Sequence, residues 1–103
     1  MTGIWLQLRE IPMSKPAFDI VWSRIVNCAG QPFQTIQGVE FTHEVDGNVL
    51  RTDRTNYNLP RSQFEKAYQV VPIDGPGQIN QTVRGPAHVW AILHDSRISR
   101  GDW

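Results

Sequence analysis

Two periods of apolar and polar residues run along this chain. Near its start, Ile4, Leu6 and Leu8 alternate with Trp5, Gln7 and Arg9, the period of a half-buried strand, and Pro12 ends it. Ser14 and Pro16 then open a second pattern. Phe18, Val21, Trp22, Ile25, Val26 and Ala29 recur at three- and four-residue spacing, with Asp19, Ser23 and Asn27 on the opposite side. This predicts an amphipathic helix from about Pro16 to Ala29, capped by Gly30 and broken by Pro32.

The period returns to two at Val39, Phe41, His43 and Val45, which share a face, with Glu40, Thr42 and Glu44 on the other. Asp46-Gly47-Asn48 is a turn with two candidate registers. An Asp46-Gly47 loop sets Val45 against Asn48 and Glu40 against Asp53. A Gly47-Asn48 loop sets Val45 against Leu50 and Glu44 against Arg51. The second pairs apolar with apolar and acid with base, so it is preferred. Either register puts Leu50, Thr52 and Arg54 on the face of Val39, Phe41, His43 and Val45. An earlier strand over Gln34–Gln37 is expected to run into this one through a kink at Gly38.

A polar loop, Thr55–Leu59, leads to Ser62 and Glu65, which have capping-box spacing. Phe64, Ala67, Tyr68 and Val71 continue as a helical stripe that Pro72 stops. Pro72 to Gly85 reads as a long loop, of the kind that is functional or conceals a short strand. Pro86 opens a last helix reaching about His94. Its Val89, Trp90, Ile92 and Leu93 leave it apolar on most sides, which places it centrally or at an interface. Ser96–Trp103 reads as a basic, polar tail. The sum is a single α+β domain: a small antiparallel sheet of three or four strands packed with three helices.

Charge narrows the functional classes. Ten basic residues balance ten acidic ones, which argues against generic attraction to nucleic acid or an anionic membrane. The balance is uneven: residues 51–103 hold seven of the basic residues and five of the acidic ones. Eight of the ten basic residues are Arg, whose planar fork suits carboxylate and phosphate. Cys28 is the single cysteine and has apolar helical neighbours, so it reads as core. Neither a signal-peptide pattern nor an apolar run approaching about 18 residues is present, so the expectation is a soluble, cytoplasmic protein without a membrane span.

The chemistry-bearing residues form few constellations. His43, His88 and His94 lack metal-site spacing, and no metal or cofactor is expected. His43 reads as a core or partly exposed histidine, and His94 with Asp95 as a helix-end cap. No Gly-x-Ser-x-Gly elbow occurs, and Gly75-Pro76-Gly77 lacks the Lys-Ser/Thr of a phosphate loop. One cluster stands out: Arg51, Arg54, Asn56, Tyr57, Asn58 and Arg61, with Arg84 as a further contributor. Basic groups interleaved with an aromatic ring and amides suit ligand or anion binding, or a nucleic-acid backbone. The plainer reading is a solvated loop whose Asn residues make turn bonds.

Several stretches carry a resemblance: Phe41-Thr42, Gly47-Asn48, Arg54-Thr55-Asn56, the run from Leu59 to Ala67, Gly75-Pro76-Gly77, Arg84-Gly85-Pro86 and the run from Ala91 to Ile98. Over residues 16–100 the chain resembles small uncharacterised bacterial proteins of the kind carried on integron gene cassettes. The resemblance implies a bacterial accessory gene, often encoding a small homo-oligomer with an unassigned pocket. It carries no functional residue across.

These features point to a non-enzymatic binding module for a small ligand or protein partner, associating with itself, first as a dimer. Four Trp in 103 residues, with Trp90 and Leu93 on the apolar last helix, place the interface there. The first rival is a nucleic-acid-binding module using Arg51, Arg54, Tyr57 and Arg61. The second is a small hydrolase built on a histidine.

Overall fold

A computed structural model describes residues 15–56 and 58–103. The strand expected over Ile4–Leu8 lies outside these residues, as does Tyr57. Among the described residues there are four α-helices and two antiparallel sheets, which makes the fold α+β.

Helix α1 spans Phe18–Asn27. Phe18, Val21, Trp22 and Ile25 are buried, as their spacing requires, whereas Val26 and Ala29 point outward. The helix therefore ends two residues earlier than its period suggests. Cys28 caps it, with its N–H donating to the carbonyls of Arg24 and Ile25.

The expected continuous strand is two short strands belonging to two sheets. β1 (Phe33–Gln34) pairs antiparallel with β2 (Glu40–Phe41) as a hairpin of its own. Gly38 is thus part of its turn and not a kink within one strand. The Gly38 N–H donates to Thr35 O at 2.9 Å, and its φ of +85° is a conformation that favours glycine. After Thr42 the chain moves into a second sheet. β3 (His43–Asp46), β4 (Val49–Thr52) and β5 (Leu59–Pro60) form it in that order. Val45 opposes Leu50 and Glu44 opposes Arg51, the register favoured by side-chain pairing. Phe41, His43, Leu50 and Thr52 are buried on the shared face. Val39 and Arg54, assigned to that face by period, are exposed, because they lie beyond the paired segments.

Helix α2 spans Arg61–Tyr68 and buries Phe64, Ala67 and Tyr68. It starts before Ser62, with Pro60 as its N-cap and no side-chain cap, so the capping box does not form. The long loop is well packed. It contains a 3-10 turn, Pro76–Ile79, in place of a strand, and buries Ile73, Ile79 and Val83.

Helix α3 (Pro86–His94) is central, with Val89, Trp90, Ala91, Ile92 and Leu93 all buried. The segment read as a polar tail is a further short helix, α4 (Ser96–Ser99), with Ile98 buried. Arg24 of α1 pins this end, donating to Ile98 O at 2.8 Å and pairing with Asp102 at 2.8 Å. Trp103 folds back, its Nε1 donating to Leu93 O at 3.0 Å and its ring edge-on to Tyr68. One core joins residues from every helix and both sheets. Each fully buried large apolar side chain in it contributes about 1.5–3 kcal/mol.

Candidate functional site

Within the expected cluster, the described arginines of the strand, turn and helix each have a separate partner. Arg51 Nε donates to Asn58 Oδ1 at 3.0 Å, and Arg51 Nη1 lies 3.9 Å from Asp46. Arg61 pairs with Asp19 of α1 and packs over the rings of Phe18 and Trp22. Arg54 reaches the other way, its Nε donating to Glu40 O at 3.0 Å. Asn56 is exposed, and Arg84 is exposed with its backbone N–H donating to Gln63. Arg51, Arg54 and Arg61 are thus tied to three different elements. Short sequence spacing brought them together only in one dimension.

Trp90 and Leu93, the residues expected at an interface, are buried within the protomer. They are 6% and 1% exposed, respectively, and Trp90 Nε1 donates to Ile73 O at 3.0 Å. The apolar surface that suggested an interface is covered by the same chain, through the long loop and the folded-back C-terminal residues.

The histidines fall on two aromatic assemblies. His43 is 3% exposed and meets the Phe33 ring edge-on, and Phe33 stacks on Phe41, which meets His88 edge-on at 4.7 Å. His43 Nε2 is 2.8 Å from Ile25 O, so it donates there in the neutral ring. Burial holds the pKa of both His43 and His88 below the ordinary value of 6.5. Arg97 adds to this at His43, and Asp53 opposes it at His88. His94 lies apart, stacked on Trp90 at 4.4 Å. Among the described residues, no histidine hydrogen-bonds to a carboxylate, and no group of three His, Cys, Asp or Glu side chains is placed to hold a metal.

Several grooves open on the surface of the described residues, and three of them carry charged side chains from the strands or the turns that follow them. The first, about 450 Å³, lies between β1 and the C-terminal end of α3 and holds Glu40, His94, Asp95 and Arg97. Two of its charges, Asp95 and Arg97, are already engaged. Arg97 grips Asp95 through two bonds, at 2.8 and 2.9 Å, donates to Pro32 O at 2.7 Å, and lies 4.0 Å over the Phe33 ring. That hydrogen bonding keeps the Asp95 carboxyl below its ordinary 3.8. The pair is a clamp between the α3–α4 junction and the entry to β1. The second groove, about 490 Å³, follows β3 and β4 past Glu44, Arg51 and Asp53. Its Asp53 Oδ1 is occupied by the Thr42 N–H at 3.0 Å.

The third groove differs in kind. It is about 330 Å³ and lies between the β1–β2 hairpin tip and the start of α3. Ile36, Val39, Pro76 and Ala87 form apolar walls, with Thr35, Gln37, Arg54 and His88 at the polar positions. Ile36 is 55% exposed and Val39 43%. No carboxylate lines it. Among the described residues, neither Nη group of Arg54 has a partner, while its Nε bond to Glu40 O fixes the guanidinium beside the hairpin. Of the residues expected from sequence to bind a ligand or anion, only Arg54 lines this groove. The available signal was Ile36 and Val39 flanking Gln37-Gly38: apolar side chains at a turn, where polar ones are usual.

Comparison of the chain with protein-family models, curated proteins and solved structures finds no match, so function is argued from geometry.

Proposed function

We propose that the chain is a non-enzymatic binding module for a small ligand, held in the groove between the β1–β2 hairpin and α3. The carrying observation is the exposure of Ile36 and Val39 beside Pro76 and Ala87, in a concavity with a few polar groups at its edge. Exposed apolar side chains gathered in a concavity mark binding surfaces, and a volume of roughly 300–1,000 Å³ is usual for small-ligand sites. The hairpin backbone is fixed independently of any ligand, through the Thr35–Gly38 turn, the Thr35 N–H to Val39 O bond and the Phe33–Phe41 stack. Such a preformed site spends little binding free energy on ordering.

The reading rests on one protomer. Self-association loses its main support with the burial of Trp90 and Leu93. A nucleic-acid surface loses its support with the separate engagement of Arg51, Arg54 and Arg61. Among the described residues no helix is long and apolar enough to cross a membrane.

The test is amide chemical-shift mapping with octanamide, a neutral apolar probe. Shifts concentrated at Ile36, Val39, Ala87 and His88, and lost in Val39→Ser, are the expected result. No shifts, or shifts centred on another surface, refute the groove as the site.

A further inference from the structure

The groove has a sign as well as a shape. Of its lining side chains, only Arg54 carries a fixed charge, and no acidic side chain lies in the wall to neutralise it. The Nε–H of Arg54 is held by Glu40 O, which sets the plane of the guanidinium and leaves both Nη groups free of partners among the described residues. A guanidinium with two adjacent open donors matches the two oxygens of a carboxylate. The opposite wall is the first turn of α3, which starts at Pro86 and presents Ala87 and His88. The N-terminal end of a helix favours negative charge. Ile36, Val39, Pro76 and Ala87 meanwhile offer walls without side-chain hydrogen-bond groups, which suit an apolar part of the ligand.

We infer that the ligand is a small apolar carboxylic acid, its hydrocarbon or aryl body against Ile36, Val39 and Ala87 and its carboxylate on the Nη groups of Arg54. This rests on the groove being the binding site. It adds that Arg54 sets ligand class, whereas the apolar walls supply affinity without distinguishing acid from amide. Asp53 is close enough to act on His88 electrostatically, yet it does not line the groove, and its Oδ1 accepts from the Thr42 N–H.

The experiment compares octanoate, octanamide and octylamine on the same 15N-labelled protein near neutral pH, with affinities from shift titrations. A hydrogen-bonded charge pair of this kind corresponds to roughly a 10- to 100-fold preference for octanoate over octanamide, with octylamine weakest. Arg54→Gln is expected to remove that preference while octanamide affinity stays, and Arg54→Lys to retain part of it. Glu40→Ala controls for side-chain effects at the hairpin, since Arg54 uses the Glu40 backbone carbonyl, and is expected to leave the preference intact. Equal binding of acid and amide at the groove overturns the carboxylate assignment and leaves the groove reading standing. Octylamine binding tightest overturns it too. Failure of all three probes to shift Ile36, Val39, Ala87 and His88 overturns both. Should Arg54→Gln disturb the hairpin resonances without ligand, the Arg54→Lys series decides: a reduced octanoate preference supports the carboxylate contact at Arg54, and a preference equal to the parent's overturns the assignment to the Nη groups.

Discussion

Acidification will destabilise this protein through His43, and the size and pH window of the effect follow from the burial of the ring. His43 lies 3% exposed between the end of α1 and the Phe33 ring. Its Nε2–H donates to Ile25 O at 2.8 Å, and its buried Nδ1 has no partner among the described residues. A proton added at Nδ1 would meet no acceptor there, in a site that also faces the Arg97 guanidinium across Phe33. Desolvation is the largest cause of the depressed pKa. The Ile25 bond works against it and Arg97 with it.

The sign is therefore fixed. Above the unfolded value of 6.5 both states carry a neutral ring and His43 adds no pH dependence. As pH falls below 6.5, the unfolded chain binds a proton that the folded chain refuses. Stability then falls by up to about 1.4 kcal/mol per pH unit until the folded ring titrates. His88 shifts in the same direction and adds to the slope, although it is less buried and Asp53 opposes its shift. Asp95 stays out of this window, since its own stabilisation is lost only below its unfolded 3.8. The assay is urea unfolding at steps between about pH 8 and about pH 5 on the parent and on His43→Phe. The variant is expected to be less stable at neutral pH by about 0.5–1.5 kcal/mol, because Ile25 O loses one of its two donors and keeps the Cys28 N–H. Its stability should then fall less steeply below pH 6.5 than the parent's. If the variant does not fold, the His43 ring protons of the parent, followed by NMR, carry the test. A parent stability that is flat below pH 6.5, or a His43 ring that titrates at or above 6.5 in the folded protein, refutes the reasoning.

Two further outcomes follow from the same structure. Arg97→Lys removes the two-point grip on Asp95 and the planar contact with Phe33, and should cost about 1–2 kcal/mol in urea unfolding while leaving octanamide binding unchanged, as expected of a clamp. Gly47→Ala should cost about 1 kcal/mol, because the residue sits at φ +62° in the β3–β4 turn; a Cβ there meets nothing within 4 Å, so a much larger loss in thermal unfolding would mean the turn is not as described.

By itself the sequence determined the elements whose cause is local. The faces of α1 and α2 follow from three- and four-residue spacing, and the β3–β4 register from pairing Val45 with Leu50 and Glu44 with Arg51 across one turn. Those preferences act between residues close along the chain, so a pattern can display them. Only the tertiary structure decided the rest. The apolar α3 was equally consistent with burial in one protomer and with an interface. Only the tertiary structure shows that α3 is covered within the protomer by the Ile73 carbonyl and the Trp103 side chain, from segments the period does not link to it. The arginines were indistinguishable as a sequence cluster. The fates of two of them were set by acceptors elsewhere along the chain: Asp19 for Arg61 and Glu40 O for Arg54. The groove exists for the same reason. It is a space between a hairpin tip and a helix start that are remote in sequence, and neither wall signals the presence of the other until the core beneath them packs.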